Sequence, residues 1–350
     1  MAPSIEQDHK SDVMTVQGWM PVKEMGISLT HEHIITDGSV WFEEPDEKNH
    51  HLRDVPVDKS LYTELRVNAH VNIDNNSMQD VDVAVEELKH FRELGGRTVC
   101  EVSCKNIGPF PQKLLKISQT SDVNIIMPTG FYYQASHPQR VKNMNIQQLA
   151  DEMIQDIRVG MNGTSIKAGL IGEIGITPDF TPEEIKCLRA AVQAGHETQT
   201  PVTIHQPSFE RKANRVIDII REEKGDLEHI IIGHMCASGE DFPYQVNVLL
   251  NGVFIAYDLI GSDLYYPSIQ RGQPTDEENA RNIKRLIDAG FIDQILISHD
   301  IFIKICLKHY GGRGYGHILE NFVPRLKQLG ITEEEIHTIL VKNPARVFTY

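Results

Sequence analysis

Two histidines separated by one residue, His31 and His33, close a short apolar segment near the start of the chain. Side chains alternate along a β-strand, so residues i and i+2 point to the same side and both imidazole rings can face one metal ion. Two histidines in an exposed loop would show the same spacing. The triplet alone does not decide between these interpretations, and the positions of the other ionisable residues must do so.

Four further residues that can bind a metal each close an apolar, β-branched segment: Glu173, His205, His234 and Asp300. Burial of such a group without a partner is costly, and a cost repeated on several strands requires a common explanation. Imidazole nitrogens and carboxylate oxygens suit zinc, and also manganese, cobalt or iron. We therefore predict a site for divalent metal ions, with zinc as the first choice and the other three metals left open.

The elements that must position these residues are short apolar runs that alternate with longer amphipathic segments. This alternation is typical of parallel strands joined by crossover helices. We predict strands at residues 26–30, 97–103, 123–128, 168–172, 201–205, 229–233, 252–257 and 294–298. We predict helices at residues 81–94, 146–159, 182–197, 213–224, 277–289, 319–329 and 333–340. The predicted fold is α/β, a closed (β/α)₈ TIM barrel with the metal site at the carboxyl ends of its strands.

Two segments interrupt this alternation of strands and helices. Residues 35–80 are rich in Asp, Asn, His and Pro, and we predict a long loop insertion after the first strand. Residues 260–276 follow the seventh strand, where barrel enzymes often place a substrate lid. No linker composition or repeat beyond the barrel unit occurs, so residues 1–350 are predicted to form one domain.

Composition limits the classes of partner and compartment. A formal net charge of −15 repels nucleic acid and anionic membranes, so neither is an expected partner. Residues 1–10 contain no apolar signal run, and no stretch is long and apolar enough to span a bilayer, which predicts a cytoplasmic protein. The five scattered cysteines are predicted to be reduced thiols. A homodimer and a monomer are both compatible with the sequence.

Residues 26–33, GISLTHEH, resemble the opening motif of the phosphotriesterase family of the amidohydrolase superfamily. The resemblance runs nearly end to end, through GEIG at 172–175, IH at 204–205, IGH at 232–234, SHD at 298–300 and NPAR at 343–346. It implies two metal ions. By this resemblance the more buried ion is bound by His31, His33 and Asp300, and the more exposed one by His205 and His234.

A bridging carboxylate completes the ligand set that the resemblance implies. Many bacterial members use a carbamylated lysine, whereas the matching segment here offers Glu173. Glutamate supplies two oxygens without carbon dioxide, so we expect metal binding that does not depend on bicarbonate. A hydroxide bridging the two metals would be the nucleophile. Asp300 is the predicted general base, which later returns the proton to the leaving group.

The loops after the strands supply aromatic and guanidinium groups that suit a small anionic substrate. Tyr132 and Tyr266 are predicted to line the substrate site, and Arg271 or Arg313 to bind the anion through paired hydrogen bonds. The alternative is that Tyr265 and Tyr266 pack the lid and both arginines are solvated. The animal members of the family imply amide hydrolysis of small anionic N-acetylated amino compounds, with N-acetyltaurine as the leading substrate.

Two other functions remain as alternatives. The first is an esterase, lactonase or phosphotriesterase. Against phosphotriesters, the seventh strand ends in Asp258-Leu259 and lacks the histidine that follows this aspartate in phosphotriesterases. The second is a barrel that binds metal without catalysis, which the complete set of predicted ligands argues against.

Overall fold

The computed structural model describes residues 11–349. The prediction that residues 1–10 carry no signal sequence therefore lies outside the described residues. The described chain begins with an antiparallel hairpin, Asp12–Thr15 paired with Gly18–Pro21, that the sequence did not predict. All five cysteines are free thiols in the structure. Between residues 11 and 349, no helix is both long enough and apolar enough to cross a membrane.

Parallel strands form two sheets in which strands that follow one another along the chain are neighbours. The three-stranded sheet contains Ile27–Glu32, Gly96–Glu101 and Asn124–Ile126. The six-stranded sheet contains Pro128–Thr129, Leu170–Gly175, Val202–His205, Ile230–Ile232, Phe254–Tyr257 and Ile295–Ile297. Each predicted strand overlaps an observed one, and the third is divided in two at Met127. The predicted parallel α/β architecture is confirmed.

The two sheets adjoin along two seams. At one seam, Asn124–Ile126 and Pro128–Thr129 belong to different sheets but are separated by a single residue, Met127. At the other seam the backbone N–H of Asp300 donates to the carbonyl oxygen of His31 at 3.2 Å, and that of His33 donates to Ile301 at 3.2 Å. These hydrogen bonds join the carboxyl ends of the first and last parallel strands.

Alternate residues of the strands belong to two separate apolar clusters. Ile230 and Ile232 pack with the helices, whereas Ile231 between them packs in a second cluster with Leu170 and Leu296. Strands that are apolar on both faces are expected of a parallel sheet covered on both sides. This explains why the strands read as continuous apolar runs, and why a polar side chain at a strand end stands out in the sequence.

Helices follow most parallel strands and begin at recognisable caps. Thr181 and Thr275 each form a capping box with the glutamate three residues later, which satisfies free N–H groups of the first turn. Four α-helices were not predicted: Tyr62–Leu65, Pro111–Ser121, Phe242–Leu249 and Asn343–Val347. The other α-helices are Val81–Glu93, Ile146–Arg158, Pro182–Thr198, Ala213–Glu222, Asp276–Asp288, Val323–Gln328 and Glu333–His337.

The insertion after the first strand folds against the segment after the seventh. Its two ends are joined by the short antiparallel pair Thr36–Asp37 and Ser77–Met78. Inside it, buried Leu52 and Leu65 share a small apolar core with residues of the later segment and of the last loop. That later segment contains the predicted lid, which forms a hairpin of Tyr265–Tyr266 with Arg271–Gly272. The two segments together cover the carboxyl end of the strands.

Candidate metal centre

The first strand brings both of its histidines to Glu173. His31 Nε2 lies 3.4 Å from Glu173 Oε2, and His33 Nε2 lies 3.3 Å from Glu173 Oε1. The pairing of this strand with its neighbour is irregular between Leu29 and Glu32. Such irregularities re-aim side chains near functional sites. Both imidazole rings therefore face one carboxylate, as the i, i+2 spacing predicts.

Two later strands bring their histidines to the same carboxylate. His205 Nδ1 lies 3.0 Å and His234 Nε2 3.7 Å from Glu173 Oε2. The two ring nitrogens lie 2.8 Å apart. Glu173 is 1% exposed, so this carboxylate is buried among four imidazole rings. A buried charge of this kind requires close partners of opposite charge, either protons on the rings or metal ions.

Asp300 completes the group from the last strand. Its Oδ1 lies 3.2 Å from His33 Nε2 and 3.6 Å from His31 Nε2. The backbone of Asp300 has a φ of 53°, and that of His234 a φ of 56°. Residues other than glycine rarely adopt this left-handed conformation, and it is held at functional sites by surrounding contacts. Here the contact is the hydrogen bond from the Asp300 N–H to His31 at 3.2 Å.

The pKa values of these groups are strongly coupled. Burial by itself would raise the pKa of Glu173, but the charges of His31 and His205 outweigh it and hold the pKa well below its usual range. Burial would lower the pKa of His33, but hydrogen bonds to Asp300 and Glu173 raise it to about 10. Burial and the charge of His234 lower the pKa of His205. Metal ions must therefore displace protons from this cluster.

The donor set fits divalent metal ions. His31 Nε2 is buried and has no hydrogen-bond partner, although it faces the oxygens of Glu173 and Asp300. A buried ring nitrogen in this state is expected of a metal ligand. Within residues 11–349, three groups have donor atoms that all lie within 4.8 Å of one another: His31–His33–Glu173, His31–His234–Asp300 and Glu173–His205–His234. Glu173, His31 and His234 each belong to two of these groups.

Asp258 supports two of the rings from behind. Its carboxylate accepts hydrogen bonds from the backbone N–H of His234 at 2.9 and 3.0 Å and lies 3.2 Å from the Nδ1 atoms of both His234 and His31. Burial would raise the pKa of Asp258, but His234 and His31 outweigh burial and lower it. The Nε2 atoms of both rings are thereby directed at Glu173. The sequence pattern signalled Asp258, since it also closes an apolar strand, but we did not predict it as a site residue.

Two further buried carboxylates hold the strand ends in register. Glu32 accepts hydrogen bonds from the backbone N–H groups of His299 at 2.8 Å and Ile301 at 3.0 Å. Glu101 accepts one from Ser103 at 2.8 Å, and the hydroxyl of Ser103 lies 2.8 Å from His33 Nδ1. Both carboxylates were missed by the sequence analysis. Glu101 closes the observed strand Gly96–Glu101, but the predicted strand continued to residue 103, so the criterion of a polar residue at a strand end did not select it.

A cavity of about 130 Å³ opens beside the metal residues. Both predicted tyrosines line it, and the Tyr132 hydroxyl lies 3.3 Å from His205 Nδ1. Burial and the charge of Glu173 hold the pKa of Tyr132 well above its usual range, so this hydroxyl stays protonated. The sequence analysis missed Trp41, His70 and Phe302, which also line the cavity. Two of them come from the insertion, whose weak periodicity gave no signal for individual residues.

Neither predicted arginine lines this cavity. Arg271 is exposed on the lid hairpin, directly opposite Tyr266, and its guanidinium carbon lies 5.5 Å from the centre of the Phe209 ring. Arg313 lines a different cavity, together with Asp263 and Asp276. Arg271 is the strand partner of Tyr266, which forms part of the wall of the metal cavity.

Known proteins resemble this chain over nearly its whole length. Residues 11–348 match the Phosphotriesterase family. The chain is 33% identical to an N-acetyltaurine hydrolase of Dictyostelium discoideum, with 96% of this chain and 97% of the relative covered. It is 34% identical to a phosphotriesterase-related protein of Nematostella vectensis, with 96% and 98% covered.

The fold agrees closely with a solved structure. A resiniferatoxin-binding protein from Rhodobacter sphaeroides superposes with a TM-score of 0.95 and 38% sequence identity, covering 97% of this chain and 95% of that protein. Both kinds of comparison span the strands, the insertion and the lid. The chain therefore belongs to the phosphotriesterase family, a family of metal-dependent hydrolases.

Proposed function

We propose that the two parallel sheets close into a single-domain (β/α)₈ barrel that holds two divalent metal ions, zinc by first choice. The hydrogen bonds between residues 31–33 and 300–301 support closure of the barrel. Glu173 is the proposed bridge, since its two oxygens face different histidines: Oε1 faces His33 and Oε2 faces His205. His31, His33 and Asp300 would hold one ion, and His205 with His234 the other.

The proposed activity is hydrolysis of the amide bond in small anionic N-acetylated amino compounds, with N-acetyltaurine as the leading substrate. The observation that carries it is the convergence of four imidazoles and two carboxylates beside an open cavity. Several relatives of similar length are named N-acetyltaurine hydrolase, including one from Homo sapiens at 33% identity. The lactonase, esterase and phosphotriesterase alternatives have less support, because a lactonase of Listeria monocytogenes that also covers nearly the whole chain is 25% identical to it, against 33% for these relatives.

The chain's own residues suit the proton transfers that amide hydrolysis requires. Two divalent metals bound here would acidify water and polarise the substrate carbonyl. Asp300, partly open to the cavity, accepts the proton of the attacking water and donates it to the leaving nitrogen, so that acetate and the free amine are released. The protonated hydroxyl of Tyr132 donates a hydrogen bond to the oxygen of the substrate carbonyl, where negative charge develops.

The proposed anion-binding residue is Arg271. The metal cavity is lined by no lysine or arginine among residues 11–349, so a sulfonate must reach a cation at its rim. Arg271 lies opposite Tyr266 on the lid hairpin. Replacing it by alanine (Arg271→Ala) should raise KM for N-acetyltaurine about tenfold with little change in kcat. Arg313→Ala is the matched control, and an equal effect of both variants would reject the assignment.

The decisive experiment combines metal analysis with a substrate panel. Purified protein should contain about two divalent ions per chain by mass spectrometry, and fewer than about one would reject the metal site. Protein reconstituted with zinc should release acetate and taurine from N-acetyltaurine faster than it opens lactones or cleaves aryl phosphotriesters. Asp300→Asn should lower kcat by a factor of about 100 or more while the protein still folds. Faster turnover of the lactones would favour the alternative.

A further inference from the structure

One ring nitrogen in the wall of the metal cavity has no role in the proposed mechanism: Nε2 of His70. The His70 ring lines the cavity and is surrounded by aromatic rings, with centroids 5.9 Å from Phe302 and 6.4 Å from both Trp41 and Tyr266. Trp41 and Phe302 also contact His33, at 6.0 and 6.5 Å. His70 is therefore one layer of rings away from the metal centre, on the side of the insertion.

The hydrogen bonds of Asn76 define which ring nitrogen of His70 carries the hydrogen. The amide nitrogen of Asn76 donates to the backbone carbonyls of His70 at 3.1 Å and Asn72 at 3.2 Å. The amide oxygen therefore faces His70 Nδ1, at 3.0 Å, and an amide oxygen can only accept. Nδ1 must donate this bond, so in the neutral ring Nε2 carries a lone pair.

The ring is neutral near pH 7. Burial lowers the pKa of His70, and the hydrogen bond to Asn76 and the charge of Glu43 offset this only in part. Among residues 11–349, no group donates a hydrogen bond to Nε2. The cavity thus presents a hydrogen-bond acceptor that the protein itself leaves unused, in a wall composed mainly of aromatic rings. The His70 side chain is only partly buried, so a ligand or water in the cavity can donate the hydrogen bond that Nε2 lacks.

A secondary amide has a donor in the complementary place. Its peptide unit is planar and trans, so the N–H points away from the carbonyl oxygen. When the carbonyl oxygen faces the metal centre, the N–H faces the opposite wall. An ester presents lone pairs at that position, and a tertiary amide presents an alkyl group. Neither can donate a hydrogen bond to an unprotonated ring nitrogen.

We propose that His70 is a specificity-determining residue that accepts a hydrogen bond from the N–H of a secondary amide substrate. The inference rests on the proposed amide hydrolysis. It gives the insertion after the first strand a function, since that segment carries both His70 and the Asn76 that fixes its tautomer. It also explains how a metal centre able to cleave esters would select amides.

The test compares N-acetyltaurine with N-acetyl-N-methyltaurine, in which a methyl group replaces the amide hydrogen. Zinc-loaded wild type should prefer the secondary amide in kcat/KM by roughly 10- to 100-fold. His70→Asn keeps a donor for Asn76 but removes the Nε2 acceptor, so the preference should fall to about threefold or less. His70→Gln restores an acceptor near the Nε2 position and should recover most of the preference. His50→Asn, at an exposed histidine of the same insertion, should change nothing.

Binding is measured separately so that failure of the activity and failure of the inference can be distinguished. Calorimetry with zinc-loaded Asp300→Asn, alone and combined with His70→Asn, gives the ratio of the two dissociation constants without turnover. A binding preference that depends on His70 supports the inference even if the wild type cleaves neither compound, and the proposed function alone then fails. If the enzyme cleaves N-acetyltaurine and His70→Asn leaves its preference for the secondary amide unchanged, the inference about His70 is overturned. The proposed amide hydrolysis then still stands. If neither compound binds, the inference about His70 is also overturned.

Discussion

Replacing Asp258 by asparagine should weaken metal binding although Asp258 is not one of the proposed ligands. The carboxylate is fully buried and accepts two hydrogen bonds from His234, through the backbone N–H and through Nδ1, while lying 3.2 Å from His31 Nδ1. Asparagine has the same shape but offers one acceptor oxygen instead of two. At least one histidine N–H group must then face the N–H₂ of the asparagine side chain. That histidine N–H has no acceptor, and its ring is no longer held in the present orientation.

The size of the effect follows from these contacts. A hydrogen bond to a charged group contributes about 1.5–3 kcal/mol. The ring that loses this bond must also keep its Nε2 atom available to the metal. We therefore expect a roughly 10- to 100-fold loss of metal affinity, the range typical of residues that support metal ligands. Because His31 and His234 would bind different ions, we expect both affinities to decrease.

Competition between the protein and a chromophoric zinc chelator measures both affinities directly. The matched control is Asp263→Asn, since Asp263 accepts hydrogen bonds from Tyr62 at 2.9 Å and Arg66 at 3.1 Å but contacts none of the proposed ligands. Asp263→Asn should bind zinc as the wild type does. Zinc affinities of Asp258→Asn within about twofold of wild type, with two ions still bound, would refute the argument that this carboxylate orients the rings.

Two further predictions concern stability. Gly172→Ala should destabilise the fold by about 3 kcal/mol or more, because the φ of Gly172 is +103° and the new Cβ would lie 2.1 Å from the Thr203 carbonyl oxygen. The measurement is urea unfolding. The control, Gly252→Ala, should lose much less stability, because Gly252 has a φ of +91° but open space around the new Cβ. In the metal-free protein the pKa of His33 is raised to about 10, so its protonated ring stabilises the fold fully below pH ~6.5, and this contribution is lost as pH rises from ~6.5 to about 10. The melting temperature of chelator-treated protein should therefore fall over this range relative to zinc-loaded protein, and parallel curves for the two forms would contradict the prediction.

The sequence alone determined the strands and the residues that meet at their ends. Ile231 and its neighbours are apolar on both faces, so polar side chains such as His234 and Glu173 are conspicuous where a strand ends. The carboxyl ends of parallel strands lie on the same side of a sheet, and a pattern local in sequence therefore predicted a cluster that joins residues far apart in the chain. The lid and the insertion were also recognisable, as segments without periodicity.

The surroundings of that cluster depend on how distant segments pack in three dimensions. The insertion and the lid pack on each other through non-local contacts, such as the hydrogen bond from the backbone N–H of Tyr265 to the carbonyl oxygen of Arg66. No local pattern encodes those contacts, so the sequence could not show that His70 enters the cavity wall while Arg313 lies in another cavity. Strand periodicity specifies the direction of a side chain within a strand, whereas the position of a loop residue depends on the packing of the whole segment.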